Sequence, residues 1–400
     1  MRYVLLFAVC IAAPLFGQGT AKRPWATLSI KSATLGDTRT IYVATPVSYG
    51  NGQGRYPILV LLDAEDLDQF NAAVANLRFL AGRAAIPELI LVGIVNGKNR
   101  GYDLSPVAVD STGKHSPSAG GAKRFIDFIL QEVLTDVRSR YRTAPGTFLA
   151  GHSLGGLAAL HAAVTRQAFA GIVAMSPSLW WNDSMAAIGY ADSLEHLSHP
   201  LRLFISNGEL EPAIAPTTRR MVAHLDSVKP TSLSYAHREY RATNHGMTPL
   251  LSLIDGVQYL FEPMNVARLP ISRLGPSTDS TDVMRAYVAS REAYVAGARS
   301  LGFDVHALPE EQVNGLSYGV LTIKQLPNLS LWLFRENVLA YPRSASAHFG
   351  LADGLLAVGD TAAAIMELRS GLTLDTRPPG SRWAEMRRKL AALEQRTKGS

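Results

Sequence analysis

The amino-acid sequence predicts an α/β fold, in which a mostly parallel sheet is covered by helices and is followed by a small all-α region. Three observations support this prediction. Apolar runs of strand length alternate with helical segments, which is typical of strands buried on both faces. One of these runs leads into a glycine-rich turn with a serine at its apex. Beyond about residue 264 the strand-like runs stop, and only helical patterns follow.

The strands can be placed in order along the chain. The first two are expected to form a hairpin around a Gly36-Asp37 turn. The next five are apolar along their length, which indicates parallel strands, and the last one alternates between apolar and polar residues. Helices are expected between them, for example at 70–80 and 123–141. The predicted strands are 26–30, 39–43, 56–62, 87–95, 147–150, 171–175, 201–206 and 233–240.

The serine at the turn is Ser153, in the sequence Gly151-His152-Ser153-Leu154-Gly155. A buried strand precedes it and an Ala/Leu-rich helix follows, which is the context of a nucleophile elbow. Glycines on both sides let the strand and helix approach closely, and the helix N-terminus directs N–H groups at a developing oxyanion. The alternative is a glycine-rich turn with an incidental serine. Together with the strand pattern, the elbow predicts an α/β-hydrolase fold with Ser153 as nucleophile.

A serine nucleophile needs a base, and the base needs an acid that orients it. In this fold the acid and then the histidine follow the serine in the chain. His245 lies in a loop directly after the strand 233–240, where the base is expected. The alternative for His245 is an exposed loop histidine. The acid should follow the strand 201–206, where Glu209 and Glu211 compete. Glu211 is favoured because it lies farther beyond the strand, and the other glutamate is expected to cap the next helix.

The oxyanion hole requires two N–H donors. Leu154, the residue after the nucleophile, is expected to supply one of them. Ala64, in the loop after the strand 56–62, is the candidate for the other.

Several residues are predicted to bind substrate. The Gly/Ser/Pro-rich segment 97–121 is long enough to be a functional loop and is interpreted as one wall of the cleft, with a mobile surface loop as the alternative. Two tryptophans after the strand 171–175 could form an aromatic wall, or they could simply pack in the core. The predicted substrate-binding residues are Arg100, Asp103, His152, Trp180 and Trp181.

Six segments in a fixed order make a more specific pattern. They lie at the ends of the predicted strands and in the loops that follow. The segments are Leu61-Leu62-Asp63-Ala64, Val92-Gly93-Ile94-Val95-Asn96, Arg100-Gly101-Tyr102-Asp103-Leu104-Ser105-Pro106, Gly120-Gly121-Ala122-Lys123-Arg124-Phe125, Gly151-His152-Ser153-Leu154-Gly155-Gly156 and Ser176-Pro177-Ser178-Leu179-Trp180-Trp181.

Over about residues 25–263 these segments resemble the esterase D-like family of α/β-hydrolases. That family includes periplasmic siderophore esterases, feruloyl esterases and mycolyltransferases. The resemblance implies a serine ester hydrolase with Ser153 and His245 as nucleophile and base. Siderophore esterases of this kind are sometimes described as using a Ser–His pair, so the resemblance leaves the acid open. Asp63-Ala64 departs from the Asp-Gly that is common in relatives.

The N-terminus and the composition suggest export. Met1-Arg2 is positive, 3–16 is apolar and Gly17-Gln18-Gly19 offers small residues, which together predict a secretory signal peptide at 1–19 and a periplasmic or secreted protein. The alternative is a buried N-terminal helix. The single cysteine, Cys10, lies in this segment, so the mature chain would hold no disulfide or thiolate metal site. No cofactor, metal or transmembrane segment is expected, and the dispersed net charge of +6 does not indicate nucleic-acid binding.

The C-terminal region has a different composition. A Pro/Ser/Asp-rich linker is predicted at 265–282, between a hydrolase domain at 20–264 and a helical region at 283–400. Leu321 matches Leu355, and Leu331 matches Ile365, at a spacing of 34 residues, so the region resembles tetratricopeptide repeats. Such a small annex is expected to pack on the hydrolase domain and could hold a protein partner. The predicted helices are 283–301, 310–323, 326–340, 346–358, 361–374 and 382–395.

These features predict an exported serine hydrolase that cleaves a small-molecule carboxylic ester through an acyl-enzyme. Two alternatives remain open at this point. The same site could transfer the acyl group to an alcohol, or the chain could be a non-catalytic binding or scaffold protein that uses its helical repeats.

Overall fold

The structure is a computed structural model that describes residues 23–50, 54–108, 114–182, 185–275, 279–374 and 381–398. The predicted signal peptide at 1–19 lies outside these residues. The predicted fold class is confirmed, because the chain forms one eight-stranded, mostly parallel sheet and a C-terminal helical region. The described helices include none that is both long and apolar enough to cross a membrane.

The sheet has the strand order β1-β2-β4-β3-β5-β6-β7-β8. β1 and β2 form the predicted hairpin, and β2 also pairs antiparallel with β4, whereas every other pairing is parallel. The carboxyl ends of β3 to β8 therefore meet at one edge, where parallel sheets place their sites. The strands are β1 Ala26–Lys31, β2 Thr38–Ala44, β3 Tyr56–Leu61, β4 Ile90–Ile94, β5 Thr143–His152, β6 Gly171–Met175, β7 Leu201–Gly208 and β8 Leu233–Tyr240.

In the part of the sheet domain that the structure describes, eight α-helices accompany the sheet. The predicted helix at 123–141 forms as two α-helices joined by a π-helical turn, Ile129–Val133. The helices are α1 Leu67–Gly82, α2 Arg100–Leu104, α3 Ala122–Phe128, α4 Leu134–Arg140, α5 Leu154–Thr165, α6 Met185–Glu195, α7 Ala215–Val228 and α8 Thr248–Leu260.

Each face of the sheet carries its own apolar core. On one face α3 to α7 cover a cluster that includes Phe125, Leu157 and Ile205. On the other face α1 and α8 pack on Phe148 and its neighbours. Because strands with two buried faces need apolar residues at every position, β3, β4 and β6 are apolar along their length.

The C-terminal helical region packs directly on the sheet domain. Buried residues of the first two helices, such as Tyr287 and Val313, belong to the same apolar cluster as Phe148. The next four helices pack successively on one another around a separate small core. The helical character is as predicted, whereas the tetratricopeptide resemblance remains a prediction. The helices are α9 Ser280–Ser300, α10 Glu310–Thr322, α11 Pro327–Ala340, α12 Ala345–Ala357, α13 Thr361–Leu374 and α14 Ser381–Lys398.

The segment predicted as a linker differs from the expectation. Its described part forms two 3-10 turns, Val266–Arg268 and Pro270–Arg273, and buries Val266, Leu269 and Ile271. The amide of Ile271 donates to the hydroxyl of Ser290 in α9. The described part of this Pro/Ser-rich segment is therefore a packed connection between the sheet domain and α9, because its three apolar residues are buried in the core.

Candidate active site

Ser153 stands at a sharp turn between β5 and α5. Its φ of 59° is unusual for a residue with a side chain and is typical of a strained nucleophile turn. A Cβ on Gly151 would lie 2.2 Å from the carbonyl oxygen of Gly155, so only glycine lets the strand and helix come this close. The amide of Ser153 donates to the carbonyl of Met175 and fixes the turn to β6.

His245 and Glu211 meet beside this turn. Nδ1 of His245 lies 2.6 Å from Oε1 of Glu211. The Glu211 side chain is only 1% exposed, whereas the His245 side chain is 41% exposed, so the imidazole is held from its buried side and open on the other. This is the arrangement of an acid that orients a catalytic base. The structure thus brings together the histidine and the favoured glutamate.

Three donors hold the carboxylate of Glu211. Besides His245, the amide of Gly208 donates to Oε2 at 2.6 Å and the hydroxyl of Ser176 donates to it at 2.9 Å. Burial alone would raise the pKa of Glu211, but these hydrogen bonds outweigh it and lower the pKa below 4.5. Glu211 is therefore ionised at neutral pH.

The alternative acid, Glu209, lies elsewhere. It is exposed, and its Oε2 accepts the amide of Ala242 in the loop after β8. The expected helix cap is therefore wrong, because Glu209 braces that loop rather than the start of α7. No side-chain cap is found at Ile214, the N-cap of α7.

Two serines of this site escaped the sequence reasoning. Ser176 has a φ of 44° and is fully buried against Glu211, and Oγ of Ser178 lies 3.3 Å from Oγ of Ser153. No hydrogen bond joins Ser153 to His245 within the described residues, and serine–histidine contacts are often loose before substrate binds. The signal was available, because both serines belong to the Ser176-Pro177-Ser178 segment at the end of β6.

The two predicted oxyanion donors differ in whether their amides are already hydrogen-bonded. Leu154 opens α5, where the first amides have no acceptor within the helix. Ala64 does not fit, because its amide donates to the carbonyl of Ile94 at 3.0 Å and is therefore occupied. The neighbouring amide of Glu65 has no acceptor among the described residues, and this residue is exposed at the end of β3.

A bidentate ion pair flanks this loop. Nε and Nη2 of Arg100 lie 2.7 and 2.8 Å from the two carboxylate oxygens of Asp63. The amide side chain of Asn96 donates to the same carboxylate. Asp63 has a φ of 60°, and a Cβ added to Gly155 would lie 2.9 Å from its Oδ2. Arg100 therefore holds the loop beside the nucleophile turn, and it remains a predicted substrate contact.

Asp103 forms a buried ion pair. Its carboxylate is buried and accepts Nη2 of Arg39 at 2.7 Å, and Arg39 also pairs with Asp37. The ion pair between Asp103 in α2 and Arg39 in β2 therefore fixes this helix to the strand. One carboxylate oxygen of Asp103, Oδ2, is therefore engaged in a buried ion pair, and its role as a substrate contact stays a prediction.

His152 packs against the predicted base. The ring centroids of His152 and His245 are 4.3 Å apart, and the planes are tilted by 37°. Burial and the neighbouring His245 lower the pKa of His152 from 6.5 to about 4, so its imidazole is neutral at physiological pH. Its Nε2 is buried and has no hydrogen-bond partner among the described residues.

Several exposed apolar side chains lie in the segments that carry or follow the predicted triad residues. Trp180 is 44% exposed, while Trp181 packs partly on the core, as the alternative interpretation expected. Leu210 precedes Glu211 and Met247 follows His245 closely, and both are exposed. Met247 shares a helix face with Leu250 and Leu251 at the start of α8, because residues three and four apart are neighbours. We call Trp180, Leu210, Met247, Leu250 and Leu251 the apolar rim.

One known protein family matches most of the sheet domain. The family described as "Putative esterase" matches residues 32–249, which is more than half of the chain. The chain belongs to this esterase family. The matched region contains Ser153, Glu211 and His245, and it coincides with the sheet domain apart from its ends. Family membership also makes the protein a hydrolase.

Two curated relatives of this esterase are named for siderophores. The siderophore triacetylfusarinine C esterase of Aspergillus fumigatus is 34% identical over 163 residues, covering 37% of this chain and 53% of the relative. The siderophore enterobactin esterase of Emericella nidulans is 41% identical over 95 residues, covering 21% of this chain and 31% of the relative. The matches thus span about half, or less, of the relatives' own length.

Solved structures share the fold of the esterase. An IroE-like serine hydrolase from Shewanella oneidensis is 25% identical, with a TM-score of 0.62, and the match covers 78% of this chain and 98% of that one. An uncharacterised protein from Capnocytophaga ochracea is 16% identical, with a TM-score of 0.59, and the match covers 93% of this chain and 99% of that one. The second match shows that the C-terminal helical region also has a structural counterpart.

One cluster of side chains in the described part of the esterase has metal-ligand chemistry. Among the described residues, Asp192 and Glu195 of α6 and His224 of α7 bring their ligand atoms within 4.8 Å of one another. Nε2 of His224 lies 2.7 Å from Glu195 and 3.1 Å from Asp192, so the three side chains already form an ion-pair cluster. None of these residues belongs to the apolar rim or the predicted triad.

Proposed function

We propose that this protein is a serine hydrolase that cleaves carboxylic esters through an acyl-enzyme. The observation that carries the proposal is the 2.6 Å contact between Nδ1 of His245 and the buried Glu211, next to the strained turn of Ser153. Acid, base and nucleophile lie in the chain order of an α/β-hydrolase and at the same edge of the sheet. Family membership supports ester cleavage, and the triad assignment supplies the mechanism.

The reaction proceeds in two halves. Nε2 of His245 takes the proton of the Ser153 hydroxyl as Oγ attacks the ester carbonyl, and the imidazolium then gives this proton to the leaving alcohol. An ester now joins Ser153 to the acyl group. His245 next removes a proton from water, the hydroxide attacks the acyl carbon, and the proton returns to Ser153 as the carboxylic acid leaves. Glu211 stabilises the imidazolium in both halves.

The negative charge on the carbonyl oxygen needs two amides. Leu154 provides the first, at the N-terminus of α5, where the helix dipole also favours negative charge. We assign the second to Glu65 instead of Ala64, because the Ala64 amide is already bonded to Ile94. The pair of Asp63 with Arg100 keeps this loop in place.

The substrate proposal follows from the relatives and the apolar rim. The names of the two curated relatives favour a siderophore ester, and the rim favours a substrate whose acyl side carries apolar or aromatic groups. The predicted leader at 1–19 would deliver the hydrolase outside the cytoplasm. N-terminal sequencing of the protein recovered from a cell envelope or culture medium tests this export.

The deciding experiment is the Ser153→Ala variant. We expect it to lose hydrolysis of p-nitrophenyl esters and labelling by a fluorophosphonate probe while the fold, checked by circular dichroism, is kept. A variant with full activity would refute the serine mechanism. The Ser178→Ala variant is the matched control, because it removes a hydroxyl beside Oγ of Ser153 without removing the nucleophile. Added alcohol acceptors, with product analysis, separate hydrolysis from acyl transfer.

A further inference from the structure

The imidazole of His152 has no role in the triad chemistry, yet it lies against the base. Its ring centroid is 4.3 Å from that of His245, which is stacking distance for two aromatic rings. The bond from Glu211 fixes one atom of the His245 ring, Nδ1. A single hydrogen bond leaves the ring free to swing about that atom, so a second contact is needed to fix its plane.

We propose that His152 is a positioning residue that fixes the plane of His245 by stacking on its ring, so that Nε2 of the base stays aimed at Ser153. This inference rests on the proposed function. The sequence analysis predicts that His152, the residue before the nucleophile, binds substrate. The proposal gives this residue a positioning role instead. The stacking depends on the ring of His152 and does not depend on a hydrogen bond from its nitrogen atoms.

Two features of His152 fit this role and not a substrate contact. Its Nε2 is buried and has no partner among the described residues, so this atom does not face the open cleft. The charged or titratable groups that act on its ring are His245 and Arg100, which disfavour its protonation, and Asp63 and Glu211, which favour it. Burial outweighs the two acids and keeps the ring neutral.

A neutral partner matters because His245 becomes a cation during the reaction. A charged ring at 4.3 Å would repel the imidazolium and oppose proton transfer from Ser153. A neutral aromatic face instead tolerates, and weakly attracts, a cation placed over it. His152 can thus support the base mechanically without opposing its charge.

The chain offers a matched control. His161 lies on α5, about 12 Å farther along the helix axis than Ser153. Burial lowers its pKa to about 4 as well, and its Nδ1 lies 3.2 Å from the hydroxyl of Tyr190. It is therefore a histidine of similar burial and charge that stacks on no residue of the predicted triad.

The test compares His152→Ala, His152→Asn and His152→Phe with His161→Ala. We expect His152→Ala and His152→Asn to lower kcat by about 10- to 100-fold, with KM changed by less than about threefold, because a misaligned base slows the chemical step. His152→Phe keeps a ring and should recover most of kcat. The rate of fluorophosphonate labelling of Ser153 should follow kcat. Thermal unfolding of each variant gives its folded fraction at the assay temperature, and each rate is divided by that fraction.

Several outcomes would overturn the proposal. Recovery by Asn would mean that a hydrogen bond matters, a change in KM alone would mean a substrate contact, and an equal loss of kcat in His161→Ala would mean general packing of α5. If His152→Ala keeps its kcat while Ser153→Ala is inactive, the stacking role fails and the proposed function stands. An active Ser153→Ala variant instead refutes the proposed function itself.

Discussion

Replacing Glu211 by glutamine is the sharpest perturbation of the predicted triad. The amide keeps the shape of the side chain, and its oxygen can still accept the amide of Gly208 and the hydroxyl of Ser176. Its NH2 group then faces Nδ1 of His245. Because an NH2 group only donates, Nδ1 must lose its proton and Nε2 must carry one. In that tautomer His245 cannot accept the proton of Ser153.

The expected magnitude follows from this tautomer. Glu211→Gln should lower kcat by about 10⁴, as when the acid of a serine triad is replaced by its amide. This loss corresponds to about 5.5 kcal/mol in activation free energy. The matched control is Glu209→Gln, which alters an exposed glutamate two residues away whose contact is to Ala242. It should change kcat by less than about twofold, because its bond lies outside the chemistry.

Steady-state hydrolysis of a p-nitrophenyl ester, with circular dichroism to check folding, measures both variants. If Glu211→Gln keeps near-normal kcat, the carboxylate does not orient the base and the site works as a pair of Ser153 and His245. If Glu209→Gln is instead the impaired variant, the acid is Glu209 and the reasoning from the 2.6 Å contact is wrong.

Three further predictions concern the elbow, the pH dependence and the apolar rim. Gly151→Ala should give little folded protein and no activity, measured by soluble yield and thermal unfolding, because its Cβ would lie 2.2 Å from the carbonyl oxygen of Gly155. Burial lowers the pKa of His161 from 6.5 to about 4. The stability that the neutral, buried His161 contributes is therefore complete above the pKa of histidine in the unfolded chain, 6.5, and is lost as the pH falls towards 4. The His161→Phe variant has no group that titrates there. Urea denaturation should therefore show it losing less stability than the wild type between about pH 7 and pH 4.5. Met247→Ser should raise KM for long-chain or aromatic acyl esters about tenfold and leave acetyl esters almost unchanged, which steady-state kinetics on an ester panel can check.

Features that depend on a single strand, turn or helix could be predicted from the sequence. Buried parallel strands must be apolar throughout, so β3, β4 and β6 stand out, and the elbow needs glycine on both sides of Ser153. The order of elements then places His245 in the loop after β8. The preference for Glu211 over Glu209 rests on its position farther beyond β7, because the loop after this strand must turn before an acid can reach the base.

The contacts that could not be predicted join segments far apart in the chain. The polar loop around Asp103 predicts a substrate contact and gives no sign of its ion-pair partner Arg39, which is 64 residues earlier. The position of Ala64 after β3 predicts an oxyanion donor, but the amide of Ala64 donates its hydrogen bond to the carbonyl of Ile94. Ser176 donates to Glu211, which is 35 residues later, and the sequence analysis assigns no role to this serine. In each case the deciding partner is not visible in the local pattern.

The charges around the site show why Glu211 is suited to act on His245. The nearby acid Asp63 is neutralised by a bidentate pair with Arg100. The other two bonds to Glu211 within the described residues come from neutral groups, an amide and a hydroxyl. Its charge is therefore left to act on the imidazolium of His245. Arg100→Ala should thus impair the site differently from Glu211→Gln, by freeing the charge of Asp63 and loosening the oxyanion loop rather than by changing the tautomer of the base.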